Sequence, residues 1–366
     1  MSSREGAKAA LSSAPAQIRV TRSLQVALFA TGVLWLLAAH AVAVRAAEGI
    51  AGRITDRLGW GAAQSLLTEA FFLFLLLLGF TLLSWIGMRQ GSVREANALP
   101  RRGTASREWA TGAVIGWAVL LLAVLPMTLA GALLPQFSWS ASAWGMMLLS
   151  ALSLALGALA NEVAFRGFIF RRLIEAIGPT AATLLLSGLY ALLGSLRPNA
   201  TGLSFLIALL AGVLFSLAYL RTHALWLGWG LHFAWAAATA IVFGLPVGGI
   251  ATYSSLVQTD ASGPAWLTGG AYGPEGALLT GVVFVVAMAA VYRATREYAW
   301  NYTHPPIVPA GYPMDVPPPT AHAAMEQEAA AKTAALVQIA PAARANAETA
   351  TESSQPSESS EIAPRT

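Results

Sequence analysis

Glu162 and Arg166 lie four residues apart inside a segment that is otherwise apolar. At that spacing the two side chains share one face of a helix. An ionisable residue at membrane depth is expensive and marks a functional site by default. A carboxylate there can take a proton, hold a cation or neutralise its own arginine. The bland alternative is a structural ion pair that only tethers neighbouring helices. Asn161 sits about 100° further round the same helix and is placed to face a second partner. His232 is the other candidate, in Gly230-Leu231-His232-Phe233-Ala234-Trp235-Ala236. A histidine among aromatics serves as a base, a ligand or a packing residue. Glu162 is nine residues from Arg171, and His232 is eight from Ala224. At about 1.5 Å per residue, both lie roughly 12–14 Å from one end of their segments. A shared site is therefore geometrically open to them.

The elements that must position these groups are membrane-spanning helices. Of 366 residues, 56% are hydrophobic and 11% charged, against about 25% charged in soluble domains. A span needs about 20 mostly apolar residues. Eight segments qualify, near 24–44, 66–87, 109–134, 144–170, 180–196, 202–220, 225–249 and 276–292, the fifth being short. They are continuously apolar and rich in Leu and Ala, without the period-two alternation of barrel strands. The expected class is all-α, a polytopic membrane protein of about eight transmembrane helices. The first apolar run is too long, and too far from the N-terminus, for a cleavable signal. With no cysteine, disulfides, thiol nucleophiles, thiolate metal sites and lipidation on sulfur are excluded.

Counted by loop, fourteen Lys and Arg fall on one side of an eight-span plan. Only Arg45, Arg53, Arg57 and Arg197 fall on the other. The positive-inside rule then puts both termini in the cytoplasm. The basic balance is a topology signal and gives no support to nucleic-acid binding. Composition points to the inner membrane of a bacterium. Residues 1–22 read as a polar arm, 23–293 as the transmembrane domain, and 294–366 as a cytoplasmic Pro/Ala/Ser/Glu-rich tail, mostly disordered. Residues 46–65 fit either a short amphipathic helix on the outer interface or an ordered loop. The 250–275 loop is rich in Gly, and its Trp and Tyr suit an interfacial position. His40 and Glu69 are ionisable but lie near segment ends, where snorkelling suffices; neither is assigned a role. No internal repeat is visible, so the inverted-repeat transporter pattern finds no support.

Asn161-Glu162-Val163-Ala164-Phe165-Arg166-Gly167 resembles the Glu-Glu-x-x-x-Arg motif of the CAAX protease and bacteriocin-processing family, intramembrane endopeptidases related to the type II CAAX prenyl endopeptidases. Tyr190 to Gly194, followed by Arg197-Pro198-Asn199, matches that family's Phe-x-x-x-His region. His232 to Ala236 matches His-x-x-x-Asn. Leu225-Trp226-Leu227 and Phe243-Gly244-Leu245-Pro246-Val247 flank it in the same way. The resemblance covers about 144–275. It implies a polytopic helical fold, activity on membrane-bound peptides and a divalent metal such as zinc. The four positions implied to activate water, hold a metal and stabilise the oxyanion are Asn161, Gly194, His232 and Ala236.

Three of these have lost their chemistry. An amide takes up no proton near neutral pH, Gly194 offers no ligand, and Ala236 no donor. Glu162 and His232 alone would leave a metal without its usual third protein ligand, so no metal site is expected and the cofactor stays open. The residues left for chemistry are Glu162, Arg166 and His232. The functions in contention are an endopeptidase with Glu162 as base, a non-catalytic scaffold binding a membrane-bound peptide, and a small-molecule transporter. Linear counting also puts Gly194 about 15 residues from the end of its segment, deeper than Glu162 or His232. Either that segment tilts and the 195–201 turn dips into the membrane, or the count is wrong there.

Overall fold

Long runs of Leu, Ala, Val and Phe leave backbone N–H and C=O groups no water to bond in a bilayer, so each run closes its hydrogen bonds as a helix. The computed structural model describes residues 21–58, 63–89, 92–251, 256–297 and 327–328. The chain forms two units, Met1–His304 and Pro305–Thr366. In the second, only Gln327 and Glu328 are described, and both are helical. The expected polar arm and nearly all of the tail lie outside the described residues.

The principal helices are α1 (Arg22–Leu58), α2 (Ala63–Met88), α3 (Ala105–Leu129), α4 (Ala141–Arg166), α5 (Phe168–Ile177), α6 (Pro179–Gly194), α7 (Gly202–Thr222), α8 (Trp226–Ala237, continued as a π-turn over Ala238–Val242) and α9 (Leu278–Ala294). Among the described residues five helical stretches are long and apolar enough to cross a membrane, and α6, α8 and α9 are shorter apolar helices. Each of the eight expected segments is one of these eight. The protein is an all-α polytopic integral membrane protein, with one antiparallel strand pair, β1 (Leu133–Phe137) and β2 (Val257–Ala261), which hydropathy gave no reason to expect.

Two boundaries differ from expectation. α1 runs unbroken to Leu58, so the first part of 46–65 continues the first span; residues 59–62 lie outside the described residues. The expected 144–170 segment breaks at Gly167, between α4 and α5. A Cβ at Gly167 would stand 2.5 Å from the Val163 carbonyl oxygen, so only glycine lets the chain turn there. α5 then leaves the direction of α4 as an amphipathic helix. It buries Phe168, Ile169, Phe170, Arg172 and Leu173, and Arg172 Nη1 donates to Gln25 Oε1 on α1 at 2.9 Å.

Small residues set the close approach of α3 to α8. A Cβ at Gly112 or Gly116 would collide with the carbonyl of Leu227 or Leu231, and one at Gly230 with that of Trp109. Without a hydrophobic drive between helices in lipid, such backbone contact is the main source of their association. Three indoles then lock α8. Trp226 Nε1 donates to the Pro100 carbonyl at 3.1 Å, Trp229 Nε1 to that of Ala155 at 3.0 Å, and Trp235 Nε1 to Glu275 Oε1 at 2.9 Å. Gly116→Leu should therefore push α8 off α3 and lower the unfolding temperature in nanodiscs. Overpacking a tight contact costs about 1–3 kcal/mol. An unchanged melting curve would show that the helices do not touch there.

Candidate functional site

The site is built on one stripe of α4, where Ser153, Gly157 and Asn161 recur every fourth residue and face a cavity. One position beyond Asn161, Glu162 points elsewhere. It is 1% exposed and lines neither of the cavities described below. His232 Nδ1 lies 3.1 Å from Glu162 Oε1. An ionised carboxylate only accepts, so with Glu162 ionised Nδ1–H is the donor of that bond. Arg166 Nη1 lies 3.7 Å from the same oxygen, an ion pair held by charge rather than by a hydrogen bond. Gly228 makes room for the carboxylate, because a Cβ there would stand 2.8 Å from Glu162 Oε2.

Arg166 is 2% exposed. Its Nη2 donates to the Gly212 carbonyl of α7 at 3.1 Å, and its guanidinium lies over the rings of Tyr190 and Phe215 at 4.9 and 5.1 Å. The Phe215 ring also stacks on His232, with centroids 4.7 Å apart. Glu162, Arg166 and His232 thus meet as the depth count allowed. They form a closed knot that ties α4, α7 and α8.

Asn161, Gly194 and Ala236 face open space instead. A cavity of about 450 Å³ is lined by Asn161, Tyr190, Gly194, Arg197, Tyr272 and Glu275, with Leu36, Leu37, His40, Glu69 and Phe72 on its α1–α2 side. A smaller one of about 90 Å³ is lined by Ser153, Gly157, Asn161, His232 and Ala236, and shares Glu69, Asn161, Tyr190, Arg197 and Glu275 with the first. Asn161 Nδ2 donates back to the Gly157 carbonyl at 2.8 Å. Gly194 is the last residue of α6, whose 16 residues span about 24 Å, short of a hydrocarbon core of about 30 Å. The helix stops early, and this puts Gly194 on the same cavity as Asn161. A Cβ at Gly194 would find its nearest atoms, Ala208 Cβ and Tyr272 Oη, at 3.8 and 4.0 Å.

Several residues of this cavity carried no usable sequence signal. Glu69 comes from α2, and its carboxylate lies against Gly157, where a Cβ would be 3.0 Å from Glu69 Cδ. Its position near a segment end disguised it. Arg197 and Glu275 come from loops 78 positions apart in the chain, and both approach Gly248. Tyr272 belongs to the Gly-rich loop expected at the interface. Trp266 of that loop is exposed, but Tyr272 is buried, and burial, with Glu275 beside it, pushes its phenol up to about 12. It therefore keeps its proton at any physiological pH.

The side chains present do not fit the divalent metal that the family resemblance implies. Among the described residues no three His, Asp or Glu groups gather as a metal site. The four family positions offer an amide, a bare backbone, a methyl group and one imidazole.

Residues 142–238 match the family model described as type II CAAX prenyl endopeptidase Rce1-like, a segment that contains all six motif positions. No curated protein and no solved structure matches the chain. The match falls on α4 to α8, the helices that build the Glu162–Arg166–His232 knot and much of the wall beside it, and in this segment the chain is similar to the type II CAAX prenyl endopeptidase Rce1-like family.

Proposed function

We propose that this protein holds a membrane-bound peptide segment in the cavity of an altered protease site and does not cut it. The observation that carries this reading is the separation of the two halves of the site. Glu162, the carboxylate kept from the motif, is shut away from the cavity together with Arg166, and of the family positions that face it Asn161, Gly194 and Ala236 can move no proton, which leaves His232 alone. General-base catalysis needs the base within hydrogen-bond reach of the water it activates. Glu162 spends its oxygen on His232 and Arg166, which counts against its service as a displaced base. The missing side chains leave volume, and the α1–α2 wall supplies apolar surface for a membrane segment. The family's name supports a peptide as occupant, and the absence of internal repeats gives transport no support. In this reading the protein lies in a bacterial inner membrane with both termini in the cytoplasm, the side on which fourteen of the loop cations fall.

Peptide termini across the membrane proteome test the reading. Cells carrying the protein and cells from which it has been deleted should yield the same set. A photo-crosslinking residue at position 194 should capture uncut segments. New termini that depend on the protein would overturn the proposal and identify a substrate of an active peptidase.

A further inference from the structure

Glu69 is an acidic group of the cavity that enters from α2, N-terminal to the matched segment. Three other carboxylates have their own cations. Glu108 has Arg102, Glu162 has Arg166, and Glu175 has Arg172. Glu69 makes no ion pair or hydrogen bond among the described residues, although it lies within the electrostatic reach of Arg197. Glu275, which also lines the cavity, accepts at Oε1 from Trp235. Of the two carboxylates, Glu69 is the one with no hydrogen bond or ion pair among the described residues.

A second observation lies beside it. Ser153 Oγ is buried, lines the smaller cavity with Glu69, and has no hydrogen-bond partner. Thr31, Thr68, Thr111, Thr128, Thr183 and Thr239 each donate to the carbonyl four residues earlier in their own helix. Ser153 does not, nor do Ser84, Ser187 and Ser216; a buried hydroxyl without a partner costs free energy, and of these four it is Ser153 that lines the cavity. An acceptor-rich pocket with an unpaired carboxyl group and a spare hydroxyl is complementary to a cation that also donates hydrogen bonds. The wall next to it is apolar, with Leu36, Leu37, Phe72 and Leu193.

We infer that Glu69 selects the ligand: it receives an ammonium or guanidinium group carried by an apolar peptide segment, and Leu36, Leu37 and Phe72 hold the apolar part. This rests on the reading of the cavity as a peptide site. It assigns specificity to α2 and does not depend on any residue of the Glu-x-x-x-Arg motif. Glu69 here is a binding residue, with no bond made or broken.

Labelled Leu/Ala peptides with one central Lys, Gln or Glu test it, against the full-length protein in nanodiscs of phosphatidylcholine, which has no net charge. The Lys peptide should bind about tenfold tighter than the Gln peptide, and the Glu peptide weakest. Glu69→Gln should bring the Lys peptide down to the Gln peptide and leave the Gln peptide unchanged. Glu69→Asp should keep the order of preference, which separates loss of charge from loss of fold. Equal binding of all three peptides to the wild type, or a Lys preference that survives Glu69→Gln, would overturn the assignment of Glu69 and leave the peptide site standing. Binding of no peptide would overturn both. Uptake of a long-chain alkylammonium with no peptide binding would also overturn it and give the cavity to a lipid-like amine.

Discussion

Glu162→Leu should be the most damaging single substitution in the protein, worse than Arg166→Met. Removing one partner of a buried ion pair costs about 3–5 kcal/mol, because the survivor keeps an uncompensated charge. Here the two survivors differ. Without Arg166, Glu162 still has the His232 ring at 3.1 Å, and a carboxyl can also take up a proton. Without Glu162, Arg166 cannot lose its proton. It would keep the Gly212 carbonyl and the faces of Tyr190 and Phe215, which are dipoles and quadrupoles rather than a counter-charge. The double variant should recover much of the loss, since both charges leave together and the volumes are nearly kept. Unfolding temperature and monodispersity in nanodiscs measure all three. A double variant no more stable than Glu162→Leu would show that the pair does not stabilise the fold through charge.

Gly194→Trp should weaken peptide binding by about 10- to 100-fold and leave the fold intact. No atom lies closer than 3.8 Å to a Cβ built there, so the indole would grow into the cavity instead of into a neighbour. Losing the seat of one buried apolar side chain, about 1.5–3 kcal/mol, lowers affinity by about 10- to 100-fold. The same nanodisc titration reads the loss, with the melting curve as control. Undiminished affinity at an unchanged melting temperature would move the ligand to another surface.

Much of the fold was legible because lipid forces a simple rule on the backbone. A sufficiently long apolar run is a helix, and all eight runs are. The rule reports on length and composition, so it was blind to Gly167, where a single residue redirects the chain after Arg166. It was blind also to the pairing of Leu133–Phe137 with Val257–Ala261, which depends on a partner more than a hundred residues away. At the site, the Glu162–Arg166 pair was legible from i,i+4 spacing, and the meeting with His232 from equal depth. Glu69, Arg197, Tyr272 and Glu275 were not. Each comes from a helix end or a loop, where a polar residue is ordinary, and only the tertiary arrangement of α2, α4, α6 and the Gly-rich loop turns four ordinary residues into one polar wall. Helix periodicity did separate Asn161 from Glu162, although it could not say which of the two would face the cavity.

Because Glu162 and Arg166 are partners within one helix, their mutual neutralisation is available as soon as α4 has been synthesised. The Gly212 carbonyl that receives Arg166 is 46 residues further along the chain, and His232 is 70 residues beyond Glu162. A lone charge in an inserting helix is unfavourable, by up to about 2.5–3.5 kcal/mol at its centre; an internally paired carboxylate and guanidinium present no net charge to the bilayer. α4 can therefore leave the insertion machinery for lipid ahead of α7 and α8, and wait there with its most polar turn already self-contained. The i,i+4 spacing that makes the pair conspicuous in the sequence thus also lets α4 enter lipid without waiting for its later partners.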